Sequence, residues 1–142
     1  MEIDKKTLMT GSCVCKKVKF AVLSEITTLY QCHCSLCQKQ TGTAAVTACF
    51  VDTEHFKWLS GEQEITSYAK ESGYRSDFCR YCGAAVPNVF RSGVKVWVPA
   101  GALDNSLSAE ITHHIFVSSK APWDNIGGDA NQHMEFYPVF DD

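Results

Sequence analysis

The sequence predicts a mainly β protein, with antiparallel sheets and very little helix, and three features carry that expectation. Several short segments alternate apolar and polar residues with the period of two that half-buried strands show. Turn-forming pairs separate these segments at hairpin spacing, and a single stretch carries helix boundary signals. The 142 residues fit one domain, 1–142, and can bury roughly two-thirds of the unfolded surface without help from disulfides. No repeat, low-complexity run or Pro/Gly-rich linker divides the chain.

In chain order, "KKVKFAV" sets Val18, Phe20 and Val22 against Lys17, Lys19 and Ala21, a strand with one face in the core. A helix of one or two turns is expected from Ser35 to about Gln40, with Ser35 as N-cap and Gly42 closing it. "AAVTACFV" is the next strand. Turns follow at Ser60 and Gly61, at "ESGY" and at "RSG". "VKVWV" places Val94, Val96 and Val98 on one face. "THHIFV" is a further strand, in which His113 and His114 should point to opposite faces. The tail "NIGGDANQHMEFYPVFDD" is expected to be irregular and packed on the surface.

The N-terminus "MEIDKKTLMT" is charged and has no apolar signal-like core, and "AAVTACFV" is too short to cross a bilayer, so a soluble, cytoplasmic protein without membrane contact is expected. A net charge of -3, with "CKKVKF" as the dense basic stretch, argues against a nucleic-acid footprint. In a reducing cytosol, close cysteine pairs read as metal ligands or redox groups before they read as disulfides.

Eight cysteines then need an account. "CRYCG" (Cys79, Cys82, Gly83) has the form of a zinc knuckle, in which two intervening residues turn both sulfurs to one metal and the glycine takes a positive φ. "CVC" (Cys13, Cys15) would chelate only if a turn or bulge bent it. Paired, these four thiolates make a closed tetrahedral site, and "CHCSLC" (Cys32, Cys34, Cys37) supplies a second site with an open fourth position. The spacings also allow one ribbon-like site from Cys34, Cys37, Cys79 and Cys82, leaving Cys13, Cys15 and Cys32 without metal. Cys49, inside an apolar strand, reads as an inert buried thiol, with a fourth ligand or a nucleophile as the alternative.

The ordered set "GSCVC", "CHCSLCQKQTG", "FCRYCGAAV", "GALD" and "HHIFVSSKAPW", from Gly11 to Trp123, resembles the glutathione-dependent formaldehyde-activating enzyme family. The resemblance implies a tent-like β domain with two zinc ions, a structural one on Cys13, Cys15, Cys79 and Cys82 and a catalytic one on Cys32, Cys34 and Cys37. It implies a carbon–sulfur lyase that condenses glutathione, or a related thiol, with formaldehyde to S-(hydroxymethyl)glutathione.

Zinc with three thiolates carries a formal charge of -1, which makes it a weak Lewis acid but a good holder of a fourth sulfur. The developing alkoxide needs a donor, for which His33, Ser35 and Gln38 lie near in sequence, although His33 is expected to face solvent. Lys39, Arg80, Lys120 and Trp123 could contact glutathione, the alternative for each being a solvated charge or simple packing. The rival functions are a non-catalytic two-zinc module binding a thiol or a protein partner, and a thiol redox protein using Cys49 or one of the three clustered cysteines. Oligomeric state is not legible in the sequence.

Overall fold

The alternation that runs through "KKVKFAV" builds the first sheet. The structure, a computed structural model, describes residues 8–90, 92–105 and 108–139. In it β1 (Met9–Ser12) pairs antiparallel with β2 (Lys19–Val22), and β2 with β5 (Phe56–Ser60). Phe20 and Val22 are buried as expected, but so is Ala21, because β2 is the central strand and is covered on both faces. Phe20 stacks on Phe56 with ring centroids 5.5 Å apart and meets the edge of Trp58. It shares one core cluster with Val22, Ile26, Cys49, Val51, Val96 and Val98, which joins this sheet to the larger one.

The larger sheet has the order β11-β10-β3-β4-β9-β8. Its strands are β3 (Thr28–Cys32), β4 (Val46–Asp52), β8 (Asn88–Val89), β9 (Lys95–Pro99), β10 (Glu110–Ile115) and β11 (Asn131–Gln132). Hairpin-like neighbours are antiparallel, but β10 runs parallel to both β3 and β11, so the sheet is mixed. Turn signals report only strands adjacent in sequence, and β10 returns to β3 after a long excursion. Val96 and Val98 are buried, whereas Val94 is exposed because β9 starts one residue after it.

Between β3 and β4 lies α1 (Ser35–Thr41), closed at Gly42 (φ +68°) as expected. Its N-cap is Cys34 and not Ser35, the Cys34 sulfur accepting a hydrogen bond from the Cys37 N–H at 3.4 Å. A third, two-stranded sheet is the hairpin of β6 (Ile65–Ala69) and β7 (Arg75–Cys79). Beyond β10 the tail is a largely irregular strap, held where the His133, Phe116 and Ser118 N–H groups donate to His114, Glu135 and Met134 carbonyls. Among the described residues no helix is long and apolar enough to cross a membrane.

Phe20 contributes most of one core cluster's aromatic packing. Phe20→Ala is expected to destabilise the fold by about 3–5 kcal/mol, read as a lowered urea midpoint with an unchanged slope.

Candidate functional site

Strand β1 stops at Ser12, and the chain turns at once, the Lys16 N–H donating to the Cys13 carbonyl at 3.1 Å. That turn is the bend "CVC" requires, and it brings the Cys13 and Cys15 sulfurs to 3.6 Å. From the far side β7 delivers Cys79, and Gly83 (φ +76°) folds the knuckle back so that its N–H bonds to the Cys79 carbonyl at 2.8 Å. Cys15 and Cys79 sulfurs lie 3.7 Å apart, and the four sulfurs of Cys13, Cys15, Cys79 and Cys82 are all within 4.8 Å of one another.

Sulfurs at about 2.3 Å from a tetrahedral zinc sit about 3.8 Å apart, whereas disulfide sulfurs are about 2.05 Å apart. The observed spacing fits the metal geometry, and all eight cysteines are free thiols. Val18, Val86, Ile65 and Trp58 pack around this group.

The second group is built from three different local structures. Cys32 ends β3, Cys34 caps α1, and Cys37 occupies its first turn, their sulfurs again within 4.8 Å of one another. The ribbon-like alternative is therefore not formed, since Cys34 and Cys37 gather with Cys32 and not with Cys79 and Cys82. Cys49 belongs to neither group, and burial pushes its thiol up to about 12, as an inert core thiol requires.

Three crowded thiols cannot ionise independently. Hydrogen bonds from Cys32 and then Cys37 hold Cys34 down at about 2, while the bond to Cys34 pushes Cys32 up to about 11, and Cys32 and Cys34 together raise Cys37 further. Mutual hydrogen bonding thus favours one thiolate beside two thiols, and a divalent cation would displace both protons. In the four-sulfur group, against the Lys17 N–H, desolvation and the neighbouring sulfurs push Cys15 up to about 11. Against desolvation, the Ala84 and Cys15 N–H groups bring Cys82 down to about 6.

Only the three-cysteine group lines the large cavity, of about 770 Å³. Its walls are aromatic, from Tyr30, Phe50, Phe90, Trp97, Phe116 and Phe136, and its cations are Lys70 and Arg75 from the β6–β7 hairpin. Sequence reading missed both cations, and their signal was their position on either side of the "ESGY" turn.

None of Lys39, Arg80, Lys120 and Trp123 lines this cavity. Lys39 is exposed, Arg80 pairs with Glu64 at 2.8 Å, the Lys120 ammonium donates to the Asp124 carbonyl at 2.8 Å, and Trp123 is 70% exposed. Gln38 spends its amide N–H groups on the His33 and Ser119 carbonyls, and Ser35 is exposed.

His33 does not face solvent; it is 1% exposed. The pleat of the chain directs it away from its cysteine neighbours to His114, with Nε2 and Nδ1 2.9 Å apart, and sets its Nδ1 3.8 Å from the Asp124 carboxylate. Burial lowers the pKa of both rings, His114 adding to the effect at His33 while Asp124 opposes it at both. His113 points the other way, as expected, and bonds to His133 at 2.9 Å.

A family model described as glutathione-dependent formaldehyde-activating enzyme matches residues 8–119. No curated protein matches the chain significantly. Among solved structures, a crystal structure of a Rhodobacter sphaeroides protein, a structural-genomics target, is 23% identical and superposes with a TM-score of 0.60. It covers 72% of this chain and 97% of its own, a likeness of fold.

The thiol titrations set the sign of metal binding. With Cys32 and Cys37 protonated and Cys34 ionised, loading the three-cysteine group should release about two protons per ion. Affinity should therefore fall about a hundredfold per unit drop in pH below 8, a dependence checked by calorimetry in buffers of different ionisation enthalpy.

Proposed function

Because the chain belongs to the glutathione-dependent formaldehyde-activating enzyme family, we propose that it is a zinc-dependent carbon–sulfur lyase joining glutathione, or a related thiol, to formaldehyde. The product is S-(hydroxymethyl)glutathione. Cys13, Cys15, Cys79 and Cys82 hold a structural zinc, and Cys32, Cys34 and Cys37 a catalytic one. The observation that carries this reading is the contrast between the two sulfur groups, since the three-cysteine group alone opens on the cavity. Free thiols throughout suit a reducing, cytoplasmic setting.

When bound, a zinc ion on three thiolates supplies a position at which an incoming thiol loses its proton. The chain does the rest. The Cys37 N–H fixes the Cys34 sulfur, and the Gln38 amide, bonded to the His33 and Ser119 carbonyls, fixes α1 against the end of β3. The aromatic walls exclude water that would compete for the carbonyl carbon. Lys70, at the hairpin tip, offers a cation to a carboxylate of the thiol. In the condensation a C–S bond forms, the carbonyl π pair moves to oxygen, and the thiol proton ends on that oxygen.

The test is the exchange rate between glutathione and its hydroxymethyl adduct, followed by magnetisation-transfer NMR with and without zinc-loaded protein. Acceleration is expected, and Cys34→Ser should abolish it while the four-cysteine site keeps its ion, lowering bound zinc from about two to about one per chain. Two bound ions with no acceleration would leave a thiol-binding module in place of the lyase.

A further inference from the structure

The cavity beside the three cysteines is built for more than formaldehyde. A one-carbon aldehyde fills a small corner of about 770 Å³, a volume in the range that holds drug-sized ligands. The wall is apolar by construction as well as by composition. The Trp97 indole N–H donates to the Tyr30 hydroxyl at 2.8 Å, so the one polar atom of the indole is spent inside the wall, while the Tyr30 O–H keeps its proton to donate. Burial keeps the Tyr30 hydroxyl neutral. Tyr30 stacks on Phe50 at 5.7 Å with planes 5° apart, and Phe90 meets Phe50 edge-on at 5.0 Å.

Glutathione does not match this wall. It carries two carboxylates, an ammonium and two amides, and an apolar wall offers those groups no partners in exchange for the water they would lose. The cations at the cavity are unequal: Arg75 is committed to the buried Asp77 through two bonds of 2.8 Å, and the Lys70 ammonium alone has no partner among the described residues. The peptide part of the thiol is thus served at the hairpin rim, and the aromatic recess is left for something else. Three buried polar residues also line it, Ser76, Asp77 and Asn88, of which Asp77 is taken up by Arg75.

We propose that the carbonyl substrate is an aldehyde bearing an aromatic or bulky apolar group, whose substituent lies against Tyr30, Phe50, Trp97 and Phe136, and whose product is a substituted hemithioacetal. This rests on the lyase reading and changes its substrate class. The step is R–SH + R′–CHO giving R–S–CH(OH)–R′: sulfur bonds to the carbonyl carbon, the π pair goes to oxygen, the sulfur's proton follows it, and nothing is oxidised or reduced.

The experiment compares, on the zinc-loaded full chain, the acceleration of glutathione exchange with formaldehyde and with phenylacetaldehyde, each relative to its uncatalysed rate. The larger aldehyde should be accelerated more, by about tenfold or above, given what apolar burial contributes to discrimination. Phe136→Ala, a change at an exposed tail residue, should lower the phenylacetaldehyde-to-formaldehyde ratio about threefold or more. Independently of turnover, saturation transfer from the protein to S-benzylglutathione should fall chiefly on the ring protons.

Equal or weaker acceleration of phenylacetaldehyde, or saturation confined to the peptide protons, overturns the inference while the lyase reading stands on formaldehyde. No acceleration with either aldehyde overturns the lyase reading and this inference with it.

Discussion

The pleat of β3 decides which chemistry lies on which side of the larger sheet. Tyr30 and Cys32 share one face and look into the aromatic cavity; Gln31 between them faces a separate polar cleft that His114 and Asp124 also line. His33, one residue beyond the strand, continues that alternation and joins His114 on the far side. A slip of one residue would exchange the two sets, bringing imidazole to the cavity and burying thiols beside acids. The neighbours on both sides pin the register, Cys32 standing opposite Val46 of β4 and Ile115 of β10.

The two sulfur groups divide the labour that this arrangement requires. The four-sulfur group brings the turn after β1 against the knuckle after β7, two segments far apart in sequence, and lies in its own apolar cluster. The three-sulfur group gathers segments that are already neighbours, the end of β3 and the start of α1. A metal bridging the first group would close a long loop and remove more chain entropy than one bridging the second, which instead borders the cavity.

Much of the fold was legible in the sequence because periodicity is local. Phe20, Val22, Val96 and Val98 fell where alternation put them, and Gly42 and Gly83 took the positive φ angles that their places after a helix and a knuckle demanded. What sequence could not carry was which strands meet after long excursions. The parallel pairing of β10 with β3 was invisible for that reason, and with it went the burial of His33, whose partner is 81 residues away. The cysteine grouping followed from spacing to within two alternatives that only the fold separates. The cavity was the least legible part: Phe50, Phe90, Trp97 and Phe136 come from β4, from either side of the β8–β9 turn and from the tail, and nothing in their sequence neighbourhoods marks them as one wall.

Cys34 holds two offices at once, as N-cap of α1 and as a member of the thiol group. A seven-residue helix is too short to persist in water by itself, so its first turn is ordered by the sulfur that caps it. Leu36, Cys37 and Gln40 of that same helix form part of the cavity floor. Thiol group and floor are therefore one piece of chain, and the shape of the recess cannot drift while the sulfurs stay put. Variation in what the cavity admits has to come from the opposite wall, from the hairpin tip and the tail, which are tethered to the sulfurs by no shared segment.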